Sequence, residues 1–287
     1  MQNINLNLLE SYTWSKSFLK SISENSQIVF SKKMTVATIN QDTLLPFSDV
    51  LDIQEIVNLE NLNNSALISL CDNRTIFYNN LRENTLVHIS IYFPLSREKY
   101  KLNCVVVKLS GDGKDMKSHH NLKQIQSYFK SNYNFTNNTN GLDKNEEEYL
   151  KESLNYLEGV ENAIMGKKEE KLNLYWNKLN NEDKLSYESV DKDSIIAKDE
   201  IVHSTNEVKD DLSKFEAQEE IFYSKHFSLL YFIPLDVEHS IYPMPQVVAN
   251  SRKPNFESLY KPHKKAKKFM FMLNVDEKSW TFKELYA

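Results

Sequence analysis

The fold of this chain is decided by residues 66–110, which read ALISL CDNRTIFYNN LRENTLVHIS IYFPLSREKY KLNCVVVKLS. The stretch begins with a short apolar run that ends at the turn-forming residues 72–75. Ile76–Leu81 has the apolar spacing of a short helix, and Thr75 directly before it is a suitable N-cap. The first half of the stretch therefore predicts a strand, a basic turn and a helix.

The second half of the stretch predicts two neighbouring strands. Residues Thr85–Phe93 alternate apolar and polar side chains, which is the period of a half-buried strand. The turn-forming residues 94–97 follow, and Lys99–Leu109 reads as a second long strand. Together these segments predict a β-hairpin.

Two lysines in the last strand suggest an anion site. Lys99 and Lys101 lie two positions apart on the same face, so their side chains are about 7 Å apart. Arg74, at the end of the preceding strand, can complete a site that holds one phosphate. The alternative is that both lysines form the solvated face of a strand, and spacing alone favours this alternative.

The rest of the chain adds short strands at nearly regular intervals. Further strands are predicted at Met34–Ile39, Thr43–Ile53, Phe227–Ile233, Val237–Tyr242, Lys268–Leu273 and Ser279–Leu285. Helices are predicted at Leu8–Asn25, at Leu122–Lys130 within a polar segment, at Glu146–Glu158 and at Lys167–Asn180, and a loop or short helix at Gln54–Asn64. We expect a mainly β (α+β) antiparallel barrel or sandwich with flanking helices. We expect residues 1–287 to form one domain with polar insertions at about 111–145 and 182–222.

Composition excludes several classes of protein. The net charge of −5 gives no general attraction to nucleic acid or anionic membrane. The chain has five glycines, the first at Gly111, so the glycine-rich phosphate loops of nucleotide-binding folds are missing. No metal-binding pattern occurs, and Cys71 and Cys104 lie in apolar runs typical of reduced core residues. No membrane-spanning or secretory segment is evident. The basic segment Lys261–Lys268 is interpreted as a solvated loop, with a phosphate site, a nucleic-acid site or nuclear targeting as alternatives.

Several short motifs occur in the order typical of one family. They are Trp14 before Val36-Ala37-Thr38-Ile39; Cys71-Asp72-Asn73-Arg74-Thr75-Ile76-Phe77 with Leu81; Tyr92-Phe93 before Lys99-Tyr100-Lys101; Trp176 with Leu179; His226-Phe227 before Pro234; and Trp280 with Leu285. With these motifs the chain resembles a divergent, fungal-type member of the pyridoxamine 5′-phosphate oxidase-like FMN-binding split-barrel family. The resemblance implies a split antiparallel β-barrel and a cytoplasmic homodimer with FMN at its interface, the nucleus being the alternative location.

The resemblance also implies a set of cofactor contacts and an activity. Phosphate contacts fall on Arg74, Thr75, Lys99 and Lys101, while Tyr92 and Ser96 approach the ring or the ribityl chain. The implied activity is that of a flavin-dependent oxidoreductase, and no catalytic acid or base is identified.

The chain departs from the family pattern at two positions that carry cations. Asp49 and Phe77 stand where the family has an Arg and a Lys. Each lost charge-assisted hydrogen bond removes about 1.5–3 kcal/mol of binding free energy. The alternative is therefore a non-catalytic split-barrel homodimer that has lost flavin and acts as a binding or scaffold protein, or that binds another phosphorylated small molecule.

Overall fold

The computed structural model describes residues 13–40, 43–59, 62–114, 123–131, 146–188, 223–243, 266–274 and 278–285. The strands in these ranges are β1 Lys33–Ile39, β2 Pro46–Asp52, β3 Glu55–Leu59, β4 Asn64–Asp72, β5 Leu86–Phe93, β6 Glu98–Ser110, β7 Phe227–Ile241, β8 Lys267–Asn274 and β9 Ser279–Leu285. The helices are α1 Trp14–Glu24, α2 Ile76–Glu83, α3 at 123–131, α4 Glu146–Met165, α5 Lys168–Lys178 and α6 Asn181–Glu188.

The strands form one antiparallel sheet that curls back on itself. Its order is β2-β1-β5-β6-β7-β4-β3, and β8 extends it by pairing with β7 and β9. The end strands β2 and β3 are separated in sequence only by Ile53 and Gln54, and Gln54 N donates to Ile68 O at 2.8 Å. The two ends of the sheet therefore lie close together. However, no backbone ladder between described residues pairs β2 with β3. The predicted α+β split barrel is confirmed, and the barrel is open along this line.

Two apolar layers hold the sheet in place. The alternating residues Leu102, Cys104 and Val106 of β6 point into the barrel, where Trp14 and Phe18 of α1 pack. The intervening Val105, Val107 and Leu109 of β6 point outward against the helices α3, α4 and α5. These helices cover the half of the outer surface that lies over β4 and the first part of β7, as the cluster's members Ile68, Leu229, Tyr156, Leu172 and Trp176 indicate. The outer face of β1, β5 and the first half of β6 has no such cover among the described residues.

Two predicted elements differ from the structure. The segment Gln54–Asn64, predicted as a loop or short helix, contains strand β3, because its backbone pairs with β4 from Glu55↔Ile68 to Leu59↔Asn64. The two strands predicted on either side of Pro234 are one strand of 15 residues. Pro234 is tolerated because β4 pairs with β7 only up to Phe232, β8 pairs only from Asp236, and the β6 ladder is bulged beside it.

Other predictions of local structure are confirmed. Thr75 caps α2, with its side chain accepting a hydrogen bond from Tyr78 N. Cys71 and Cys104 are free and buried. Parts of the polar insertions, residues 261–265 of the basic segment and residues 8–12 of the predicted N-terminal helix lie outside the described residues. None of the described helices is both long and apolar enough to cross a membrane.

Candidate functional site

The structure separates the predicted phosphate ligands into two groups. Arg74 follows the end of β4, and the neighbouring Asn73 donates to Ser110 Oγ at 3.4 Å, at the C-terminal end of β6. Lys99 and Lys101 lie at the other end of β6. Lys101 and Ser110 are nine residues apart, and at about 3.3 Å per residue this is about 30 Å along the strand. The prediction that Arg74 joins the two lysines around one phosphate is therefore wrong within a single chain, because local spacing does not encode strand register.

Arg74 and Thr75 are already engaged in local structure. Arg74 Nη2 lies 2.6 Å from Asp72 Oδ2, Arg74 Nε donates to Asp72 Oδ1 at 2.9 Å, and Nη2 donates to Ser186 O at 3.0 Å. Thr75 Oγ1 donates to Asp72 O at 2.9 Å while it caps α2. The Asp72 carboxylate therefore neutralises the arginine, and the threonine hydroxyl is committed to the helix.

Lys101 and Ser96 are also held by neighbours. Lys101 Nζ lies 3.2 Å from Glu238 Oε1 on the adjacent strand β7. Ser96 Oγ accepts a hydrogen bond from Asn25 Nδ2 at 3.1 Å. Both residues lie near the remaining candidates, but their polar groups are satisfied within the chain.

Tyr92 and Lys99 meet in a cavity on the uncovered face of the sheet. This open-face cavity has a volume of about 700 Å³. It is lined by three cations and three aromatic rings, together with smaller side chains: Lys33, Arg97, Lys99, Phe30, Tyr92 and Tyr242. Lys33 Nζ pairs with Asp52 Oδ1 at 2.8 Å, whereas neither Arg97 nor Lys99 pairs with a carboxylate of the described residues. Among the described residues, the cavity thus offers two positive charges without an acidic partner beside flat apolar surfaces.

Arg97 is a site residue that the sequence reasoning missed. Its Nε is buried and has no hydrogen-bond partner among the described residues. Its φ of 56° is in the left-handed region, which costs a side-chain-bearing residue about 1 kcal/mol or more. Such strain concentrates at functional positions. The available signal was an arginine in the turn between two strands that already carried predicted ligands.

Helix α1 holds the turn that carries Arg97. Asn25 Oδ1 accepts a hydrogen bond from Leu95 N at 2.8 Å, and Tyr242 N donates to Arg97 O at 2.9 Å. After the turn, Glu98 accepts a hydrogen bond from Ser21 of α1. Burial raises the pKa of Glu98, but the nearby His239, whose Nε2 lies 3.6 Å from Glu98 Oε1, and the hydrogen bond from Ser21 outweigh burial and leave that pKa below its usual value. The side chains of Asn25 and Ser21 therefore hold the turn in place.

The two departures from the family pattern have clear positions. Phe77 is buried, 1% exposed, in the barrel core. Asp49 is half-buried on β2, opposite Val36 of β1, and its charge acts on Cys71. The phosphate position that the resemblance implies at α2 therefore lacks both cations in this chain.

Comparison with known proteins supports the fold. No protein-family model matches the chain, and no curated protein matches it by sequence. Among solved structures, it is similar to a pyridoxamine 5′-phosphate oxidase-related, FMN-binding protein from Nostoc punctiforme, with a TM-score of 0.54 and 14% identity over 96% of this chain and 98% of that one. This likeness shows the fold that the resemblance predicted.

A second solved structure is more distant. PhzG from Burkholderia lata, in complex with tetrahydrophenazine-1-carboxylic acid, has a TM-score of 0.47 and 10% identity, and the match covers 100% of this chain and 99% of that one.

Proposed function

We propose that this chain is an FMN-binding split-barrel protein whose open-face cavity binds the cofactor. The observation that carries the proposal is the pair Arg97 and Lys99, two cations without an acid partner among the described residues, beside the rings of Phe30, Tyr92 and Tyr242. A phosphate monoester carries between one and two negative charges near neutral pH. It matches two such cations, and arginine can bind it with two parallel hydrogen bonds.

The cavity suits the remainder of the cofactor as well. Its volume of about 700 Å³ is within the range of small-molecule sites, which is about 300–1,000 Å³. Arg97 and Lys99 would hold the phosphate, and the aromatic side chains would contact the flat ring. FMN supplies redox chemistry when bound, while the protein supplies position and charge. We accordingly propose that the chain acts as a flavin-dependent oxidoreductase.

The proposal includes a homodimer that covers the cavity. Val29 is 83% exposed and Phe30 66% exposed beside the cavity, and the exposed Val50 extends this apolar surface. A second copy seated on this surface would remove these apolar side chains from water. Covering the apolar rim would also close the cavity over the bound cofactor.

Binding of FMN to the purified full chain tests the proposal. We expect the protein to show flavin absorbance as purified or to quench flavin fluorescence on titration. The double variant Arg97→Ala/Lys99→Ala should weaken binding about 100-fold or more, since each charge-assisted hydrogen bond contributes about 1.5–3 kcal/mol. Lys20→Ala, which removes one exposed charge of α1, is the control and should bind as wild type.

The second candidate function is a split-barrel binding or scaffold protein without flavin. Asp49 and Phe77 favour it, because both remove a cation from the position that the resemblance assigns to the phosphate. A wild-type chain that is colourless and gives no saturable FMN binding, while still forming a dimer, would support this candidate over the first.

A further inference from the structure

A second cationic cavity lies at the opposite end of the barrel. This end pocket has a volume of about 300 Å³ and is lined by the charged residues Arg74, Arg82, Lys114, Lys225 and Asp112, with His226 among them. The residues come from three places in the sequence. They meet because the C-terminal ends of β4 and β6 and the start of β7 lie at one edge, as the pairings Cys71↔Ser228 and Ser110↔Ser228 show.

The positive charges of the end pocket exceed the negative ones. Asp72 pairs with Arg74 at 2.6 Å, and Asp112 Oδ2 lies 3.7 Å from Lys114 Nζ. Among the described residues no carboxylate pairs with Arg82 or Lys225. Within the part of the chain that the structure describes, Arg82 and Lys225 therefore face the pocket without an acidic partner.

A buried lysine adds to this excess. Lys108 is fully buried, and its Nζ has no hydrogen-bond partner among the described residues. Its Nζ lies 4.5 Å from the ring centroid of Tyr78, and Tyr78 lines the end pocket. The lysine is thus one side chain away from the pocket.

The ionisation of two groups reflects the same positive field. Burial, followed by the charge of Arg82, lowers the pKa of Lys108 to about 7. Burial, followed by the charge of Arg74, lowers the pKa of His226. A bound dianion would reverse both charge effects and favour the protonated forms.

The pocket also offers groups that can orient an oxyanion. Asn73 lies against His226, whose Nδ1 is 3.2 Å from Asn73 Oδ1, and Asn73 Nδ2 donates to Lys225 O at 2.8 Å. The neighbouring Lys225 and Arg82 are exposed, so their side chains can reorient toward a ligand. Arginine suits two oxygens of a phosphoryl group, while lysine acts as a point charge.

We propose that the end pocket is an anion site for the phosphoryl group of a small phosphorylated molecule, separate from the open-face cavity. Arg82 and Lys225, which have no acidic partner among the described residues, supply the two charges, and His226 lies against the ligand. This site adds a ligand to the proposed function and does not depend on flavin binding.

The test follows the imidazole signals of His226 by NMR while the full chain is titrated at constant ionic strength. One arm uses inorganic phosphate and the other uses phenyl phosphate, and sodium chloride is the reference salt. We expect saturable shifts and a higher pKa of His226. Tighter binding of phenyl phosphate indicates a phosphorylated organic ligand, and equal or tighter binding of inorganic phosphate would overturn that part of the proposal.

Variants assign the binding to the pocket. Arg82→Gln/Lys225→Gln, two changes at exposed positions, should weaken phosphoryl binding at least tenfold, whereas Lys20→Gln should not change it. Unsaturable shifts, or equal binding by the double variant, would overturn the proposal. FMN binding should be unchanged in this double variant. If FMN binding is lost in Arg82→Gln/Lys225→Gln but kept in Arg97→Ala/Lys99→Ala, the end pocket is the flavin site, and the proposal of a separate anion site is refuted.

Discussion

Replacing Lys108 by Met should stabilise the protein, and the effect should depend on pH. Lys108 is fully buried in the barrel wall, and its Nζ has no hydrogen-bond partner in the part of the chain that the structure describes. Its pKa falls from the ordinary value of 10.5 to about 7, chiefly because burial penalises the charged form. At a pH where Lys108 is protonated in the unfolded chain, lowering its pKa by this amount reduces the free energy of unfolding by about 5 kcal/mol.

The expected gain is smaller than this figure. Contact between Nζ and the Tyr78 ring at 4.5 Å favours the charged form and offsets about 1–2 kcal/mol. At pH 7 we therefore expect Lys108→Met to raise the free energy of unfolding by about 3 kcal/mol. Methionine has a similar length and can fill the same space.

The sign of the pH dependence follows from proton binding. Between pH 7 and 10.5 the unfolded chain holds a proton on Lys108 that the folded chain has released. Stability therefore rises with pH across this window. In Lys108→Met this rise should be absent, and the advantage of the variant should shrink to about 1 kcal/mol by pH 10.

Urea unfolding of wild type and variant at several pH values measures this directly. Lys20→Met, at an exposed position of α1, is the matched control and should change stability little at any pH. A variant that is no more stable than wild type at pH 7, or whose advantage is independent of pH, would refute the account of Lys108 as a buried, uncompensated cation. If the end pocket binds phosphoryl groups, the more stable variant should also bind them less tightly.

Three further predictions concern single side chains. Thr75→Ala should lower the unfolding free energy by about 1 kcal/mol in urea unfolding, because it removes the cap of α2, whereas Thr75→Ser should retain it; equal losses in both variants would contradict the capping role. Asp236→Asn should stabilise the protein at pH 7. Burial raises the pKa of the Asp236 carboxyl, so stability is lost as the pH rises through that pKa, whereas Asn stays neutral and still accepts the hydrogen bond from Tyr128. A lower Tm of the variant in a thermal melt at pH 7 would refute this. Phe30→Asp, at a side chain 66% exposed, should leave the Tm near that of wild type but shift sedimentation toward the monomer; a wild-type chain that sediments as a monomer at all concentrations would contradict the proposed dimer.

Local patterns predicted the elements of the fold well. The alternation in Thr85–Phe93 and the cap at Thr75 depend on neighbours in sequence, and both are confirmed. Strand β3 was missed because the pairing of Glu55 with Ile68, not local propensity, makes it a strand. The sequence predicted two strands around Pro234 instead of one for a similar reason. Pairing with β4 ends before this proline and pairing with β8 begins after it, which local propensity does not show.

The candidate site was less accessible to sequence reasoning. Spacing placed Lys99 and Lys101 on one face, but it could not show that Glu238 compensates Lys101 from the next strand. Nor could it show that the register places Arg74 at the far end of β6. The burial of Lys108 could have been predicted, because in a strand it lies on the same face as Cys104 and Val106, whose side chains point into the barrel.

The most direct test of the central claim is a crystal structure of the chain with FMN. We predict that the phosphoryl oxygens lie within hydrogen-bond distance of Arg97 and Lys99, that the flavin contacts Tyr92, and that a second copy covers Phe30. Flavin bound elsewhere, with Arg97 and Lys99 facing solvent, or crystals that take up no flavin, would contradict it.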